Sequence, residues 1–140
     1  MKKSTEELIK ILENKNSVEE YFSENSEEIL FDTLPELLEI HLKNKGLNKS
    51  EVLESSQIEK HYGYQIFSGL KNPSRDKLIM LCFGLKLNLN QFQQVLKKSG
   101  WGMLYPRDRR DSVIIFAIHH KLNVMDTNDM LYEMKLKILE

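Results

Sequence analysis

The sequence predicts an all-α fold, and two patterns along the chain support this prediction. Apolar residues recur at spacings of three and four, as on the buried side of an amphipathic helix. No segment sustains the alternation of apolar and polar residues that a half-buried strand shows. Together these patterns predict about eight short helices and no sheet, and no internal repeat is visible between them.

Residues that favour helix N-termini stand before the apolar runs and mark where the helices begin. Ser, Thr or Asn followed by Glu three positions later is the pattern of a capping box, and it marks the predicted helix starts at Ser4, Ser17, Thr33 and Asn48. Glycines at positions 46, 69 and 100 are predicted to end the helices before them. One further helix is predicted over residues 60–67, and the predicted N-caps are Ser4, Ser17, Thr33, Asn48, Ser74, Asn88, Asp108 and Asn123.

The apolar faces of these helices predict one shared core. Cys82 is the single cysteine and lies in an apolar run, which excludes an internal disulfide framework and predicts a buried thiol. The residues expected to meet in the core are Leu37, Leu38, Val52, Ile66, Leu78 and Leu81.

The length of 140 residues fits one small domain with helical extensions. The predicted division is an extension over residues 1–31, a central domain over 32–98 and a second extension over 99–140. No apolar run reaches the roughly 18 residues of a membrane span. The N-terminus is charged and lacks the apolar stretch of a signal peptide. We therefore expect a cytoplasmic protein that does not insert into membranes.

Charge is unevenly distributed along a chain whose formal net charge is -1. Residues 1–40 contain more Asp and Glu than Lys, whereas residues 41–110 contain more Lys and Arg than Asp and Glu. A basic middle segment on a nearly neutral protein is compatible with a local DNA-binding surface.

Residues 46–75, GLNKSEVLESSQIEKHYGYQIFSGLKNPSR, have the layout of a helix-turn-helix. Two short helices surround a tight turn, and a glycine-containing loop then leads into another helix. This stretch resembles the phage-repressor, Cro-like (XRE-type) helix-turn-helix family, in which two glycines stand at the spacing of Gly46 and Gly69. The resemblance covers residues 32–98, and its most specific parts are GlyLeu at 46–47 and GlyLeuLysAsnProSer at 69–74.

The resemblance implies a lambda-repressor-like bundle with flanking helices that binds DNA as a transcriptional regulator of the repressor type. Its recognition helix, around residues 59–68, would enter the major groove, and helix N-termini and loop residues would contact phosphates. The residues implied to contact DNA are Asn48, Lys49, Lys60, His61, Tyr62, Tyr64, Gln65, Lys71, Asn72 and Arg75. We expect one of the two tyrosines to pack inward.

Four positions depart from the family's pattern. Leu53 and Gln57 replace a small residue and a glycine, and Glu59 places a negative charge at the tip of the recognition helix. Gly63 lies inside that helix, where it indicates either close helix packing or a helix not adapted to DNA. A protein-interaction module that keeps the scaffold without DNA binding is therefore the alternative function.

The remaining candidate groups predict structure rather than chemistry. Residues 107–111, ArgAspArgArgAsp, are either a basic patch or a salt-bridge cluster at a helix start. His119 and His120 point about 100° apart and have no partner at a metal-binding spacing. No catalytic constellation is visible, so we expect neither an enzyme nor a cofactor or metal. The apolar run at 112–118 predicts a homodimer formed through the C-terminal third, and the alternative is that these residues only cover the chain's own core.

Overall fold

The computed structural model describes residues 3–25 and 33–140, and every regular element in these ranges is a helix. The predicted boundary between residues 31 and 32 lies outside the described residues. None of the described helices has the length and apolarity needed to span a bilayer. The helices are α1 (Thr5–Glu13), α2 (Val18–Glu24), α3 (Leu34–Lys45), α4 (Lys49–Ser56), α5 (Lys60–Ser68), α6 (Arg75–Gly84), α7 (Leu89–Lys98), α8 (Arg109–His119) and α9 (Val124–Glu133).

The predicted helix starts are confirmed at all eight positions. Each predicted capping side chain accepts a hydrogen bond from a backbone N–H in the first turn of its helix. Gly46 and Gly69 end α3 and α5 in the left-handed conformation, with φ of 64° and 85°. Local capping chemistry therefore fixes the element boundaries over most of the described chain.

A single hydrophobic core joins α3 to α9. It contains all six residues predicted to share a core, together with Cys82, whose burial raises the pKa of its thiol. The core does not divide at residue 98, because Leu104 and Leu139 belong to it as well. Within the apolar run at 112–118, only Phe116 is markedly exposed, and the chain's own core takes up most of the rest.

Two arginines make matching hydrogen bonds in the helix pairs α6–α7 and α8–α9. Each arginine lies near the start of its pair and binds the chain that follows the second helix. Arg75 donates from Nε and one Nη to the two carbonyl oxygens of residues 102–103, at 2.9 and 3.2 Å. Arg110 donates in the same way to the carbonyl oxygens of residues 137–138, at 2.8 and 3.1 Å. In both cases the two bonds span 27 and 28 residues of sequence.

Two side-chain amides also make matching hydrogen bonds in the two helix pairs. The amide of Gln93 both donates to and accepts from the backbone of Leu104, at 2.9 and 2.7 Å. The amide of Asn128 makes the same two bonds to the backbone of Leu139, at 3.1 and 2.7 Å. Both pairs are separated by 11 residues, and both leucines are buried.

Reciprocal ion pairs then join the two helix pairs to each other. Arg75 binds Asp111 through two hydrogen bonds, at 3.1 and 2.9 Å, and Arg110 binds Asp76 through two, at 3.0 and 2.8 Å. Arg110 lowers the pKa of Asp76 against the opposing effect of burial. These contacts confirm the salt-bridge interpretation of residues 107–111.

Residues 75–105 and 110–140 are thus two copies of one structural unit, here called the first and second units. Each residue of the second unit stands 35 positions after its counterpart in the first. The expectation that the chain has no internal repeat was wrong. The copies share few residue identities, chiefly Arg-Asp at the start and Lys-Leu-Asn in the turn, so composition and periodicity did not reveal them.

Candidate nucleic-acid interface

Residues 46–69 form two short helices, α4 and α5, with a tight turn between them. Gln57 ends α4 in the left-handed conformation, with φ of 58°, at the position where the sequence resemblance leads one to expect glycine. Ile58 is buried beneath the turn, and Glu59 begins α5. The turn therefore keeps a left-handed residue without glycine, at the strain that a side chain incurs there.

Gly63 and Leu53 are sterically matched. A Cβ at Gly63 would lie 2.2 Å from Leu53 Cδ2, and Leu53 itself is fully buried. Gly63 therefore allows the close packing of α5 on α4, which is one of the two alternatives open from the sequence. The large residue in α4 and the missing side chain in α5 are two parts of one packing arrangement.

The outward side of α5 brings together four of the predicted DNA-contacting residues. Lys60, His61, Tyr64 and Gln65 are exposed or half-buried there, while Ile66 and Phe67 face the core. His61 Nε2 and Gln65 Nε2 lie 3.4 Å apart. Tyr62 is partly buried against the core and Tyr64 is 45% exposed, which confirms that one tyrosine packs inward.

Glu59 occupies the N-terminus of α5 with its own carboxylate. It accepts hydrogen bonds from the backbone N–H groups of Tyr62 and His61, at 2.8 and 3.0 Å. These bonds lower the pKa of Glu59, so the carboxylate stays charged at neutral pH. The free N–H groups that helix tips offer to phosphates are therefore already used at this position.

The start of α4 lies beside α3 and α5. Asn48 caps α4 through the backbone N–H of Glu51, at 2.8 Å. The ammonium of Lys49 lies 3.4 Å from a Glu39 carboxylate oxygen and 5.4 Å from the centre of the Phe67 ring. Both predicted contact residues are thus at the helix start, and Lys49 has an intramolecular carboxylate to exchange for a phosphate.

The loop after α5 borders a groove of about 720 Å³. Lys71 and Asn72 are exposed in this loop, and Lys98 from the end of α7 lines the same groove. Trp101 lines it too, and its indole N–H donates to the Pro73 carbonyl at 3.1 Å. No carboxylate is among the described residues that line the groove.

Arg75 is placed apart from the other predicted contact residues. Its guanidinium makes four hydrogen bonds within the chain, two of them to the buried Asp111. Sequence reasoning assigned Arg75 to phosphate because its partner lies 36 residues away and no local pattern marks that pair. In this structure Arg75 joins the two repeated units.

Two residues of the surface escaped the sequence reasoning. Ser68 follows Tyr64 by four residues on the exposed side of α5, so helical periodicity was sufficient to find it. Lys98 reaches the groove only through the packing of α7, and no sequence signal indicates that position.

Within the described residues, no group of three or more His, Cys, Asp or Glu side chains is arranged to hold a metal ion. Comparisons with known proteins returned no match, whether to a family model, a curated protein or a solved structure. The geometry of α4, α5 and the loop that follows them is therefore the basis for assigning a function.

Proposed function

We propose that this protein is a sequence-specific, DNA-binding transcriptional regulator of the repressor type that reads the major groove with α5. One observation supports the proposal most strongly: Lys60, His61, Tyr64, Gln65 and Ser68 line the outward side of a short helix without any carboxylate among them. An α-helix with its side chains is roughly 10–12 Å across, which fits the roughly 12 Å width of the major groove.

The side chains on this face have the chemistry for both kinds of contact. A glutamine amide can pair with the adenine edge, and lysine can reach guanine or phosphate. Lys71 and Asn72 project from the adjoining loop, and Lys98 adds a second lysine to the groove beside it. We therefore assign base reading to His61 and Gln65, and phosphate contacts to Lys60 and Lys71.

A second candidate function is binding of a protein through the same face. Leu70, in the loop after α5, is 72% exposed and lies six residues after the exposed Tyr64. Exposed apolar side chains at the position of a DNA-binding surface favour a protein partner. In that case the helix-turn-helix scaffold would serve as a protein-interaction module.

Fluorescence anisotropy with a pool of duplex DNA at several salt concentrations tests the proposal. Lys60→Ala and Lys71→Ala should each flatten the slope of log affinity against log salt by about 0.9, because one phosphate contact is lost. Lys137→Ala removes the same charge from the second unit and should leave the slope unchanged. Gln65→Ala should instead reduce the preference among duplex sequences, by about tenfold or more.

Glu59 tests whether removing a negative charge at the start of α5 raises the affinity for DNA. Glu59→Gln keeps an oxygen that can cap α5 but removes the negative charge, so affinity at low salt should rise roughly fivefold if the tip approaches phosphate. Glu59→Asp keeps the charge and should bind like the native chain. If no duplex binds at low salt and these substitutions change nothing, the protein-interaction function replaces the DNA-binding one.

A further inference from the structure

The two repeated units differ in what lies on their first helix. In the first unit, Leu81, Gly84 and Leu85 share one side of the chain around α6 and are all buried. Helix α4 packs on this side so closely that a Cβ at Gly84 would lie 2.6 Å from the Val52 carbonyl oxygen. The unit thus has a face that receives a helix.

The corresponding face of the second unit is open among the described residues. The counterparts of Leu81, Gly84 and Leu85 are Phe116, His119 and His120. Phe116 is 50% exposed, both histidines are exposed, and the rings of Phe116 and His120 lie 4.1 Å apart. Helix α8 packs mainly against α7 and α9, which lie on its other sides.

Helix α1 has an apolar side that no other described element buries. None of its residues is buried, although Ile9 and Leu12 are apolar and are 52% and 43% exposed. It carries Glu6, Glu7 and Glu13 against one lysine, Lys10. An amphipathic helix with an exposed apolar side is stabilised by packing that side against another surface.

We propose that α1 of one chain docks on the Phe116–His120 face of a second copy, in the position that α4 takes on the first unit. Charge supports this pairing, since α1 is acidic, Lys121 follows the end of α8, and residues 112–125 include no carboxylate.

The exchange of α1 in both directions gives a closed dimer with two identical contacts. His119 stands where the first unit has glycine, so α1 would lie farther from α8 than α4 lies from α6, over the Phe116 and His120 rings. The interface is independent of the α5 face, and the association can be measured without DNA.

Sedimentation equilibrium of the full chain over about 1 to 100 μM tests the interface. The native chain should dimerise, and Phe116→Asp and Leu12→Asp should each weaken association by about tenfold or more, because a carboxylate would be placed in an apolar contact. Met103→Asp is the matched control, since Met103 is 51% exposed but lies outside both surfaces. Circular dichroism establishes that each variant remains folded, and Phe116→Ala serves if Phe116→Asp does not.

Mixing the two defective variants gives the sharper result. The Leu12→Asp chain keeps an intact α8 face and the Phe116→Asp chain keeps an intact α1, so one of the two contacts is intact in the mixed dimer and the mixture should associate more strongly than either variant alone. Three results would overturn the proposal: a native chain that stays at 16.5 kDa throughout, a Leu12→Asp chain that dimerises like the native one, or a mixture that associates no more strongly than either variant alone.

Discussion

The first and second units are built on the same hydrogen bonds but are used differently by the rest of the chain. In the first unit α4 packs on α6 and α3 packs on α7, and every residue of α6 from Leu78 to Gly84 is buried. The second lies at the end of the chain and exposes Phe116 and His120. The comparison shows that the Arg-Asp and amide contacts define the unit, whereas the residues on its outer face determine what packs there.

The largest expected effect comes from breaking the contacts that the two units share. Arg75→Ala and Arg110→Ala should each lower the free energy of unfolding by about 3 to 4 kcal/mol, because each leaves a mostly buried carboxylate without its partner. Urea denaturation measures both values. Arg107→Ala and Arg109→Ala, which remove exposed arginines nearby, should stay within about 0.5 kcal/mol. Unequal losses at Arg75 and Arg110, differing by more than about 2 kcal/mol, would argue against equivalent units.

A buried histidine on α3, the helix that packs on the first unit, predicts that the stability of the fold depends on pH. His41 is fully buried on α3, which packs on α7, and burial lowers its pKa to about 4, an effect that the nearby Gln94 side chain partly opposes. The unfolded chain binds this proton below about 6.5, so stability should fall as the pH drops from 6.5 towards 4, by at most about 3 kcal/mol.

Thermal or urea unfolding between pH 7.5 and 4 measures this dependence. His41→Leu should flatten the curve in that window, whereas His119→Ala, in the open unit, should leave its shape unchanged. A curve that is equally steep in native and His41→Leu chains would assign the pH dependence to other groups.

The close approach of α4 to the first unit predicts an intermediate effect. Gly84→Ala should destabilise the fold by about 2 kcal/mol, since the new methyl group would meet a backbone oxygen that cannot move aside easily. At the equivalent position of the second unit, His119→Ala should change stability by less than about 0.5 kcal/mol. A tolerated Gly84→Ala would mean that α4 packs less tightly on α6 than the structure shows.

The smallest effect is expected at Gly63 of α5, and its sign should depend on the residue at position 53. Gly63→Ala should cost about 1 kcal/mol in the native chain, because Leu53 must move, and alanine's higher helix propensity offsets only part of the clash. In a Leu53→Ala background the same change should stabilise by about 1 kcal/mol, since the methyl group fills vacated space. A double-mutant cycle from urea unfolding measures this coupling. Additive effects on the free energy of unfolding would show that positions 53 and 63 are not coupled.

Sequence reasoning predicted the helices well because capping depends on nearby residues. Every predicted N-cap side chain accepts the expected first-turn hydrogen bond. The six predicted core residues, which are four leucines, one valine and one isoleucine, meet in one cluster. The repeat escaped prediction because its bonds join residues 11 to 36 positions apart and involve backbone carbonyls that any residue can supply.

The candidate interface was predictable only where it is local. The outward side of α5 follows from helical periodicity, and Asn48 follows from capping. The role of Arg75 depends on Asp111, and Lys98 reaches the groove through tertiary packing, so neither was accessible from the sequence.

An amide-resolved NMR titration with duplex DNA tests the central claim most directly, because it reads both regions in one experiment. DNA binding through α5 predicts salt-sensitive shifts concentrated in residues 48–49, 59–65 and 70–72, with α8 and α9 unchanged. Shifts confined to the second unit, or none in residues 59–72 at low salt, would contradict the assignment of α5 as the DNA-reading helix.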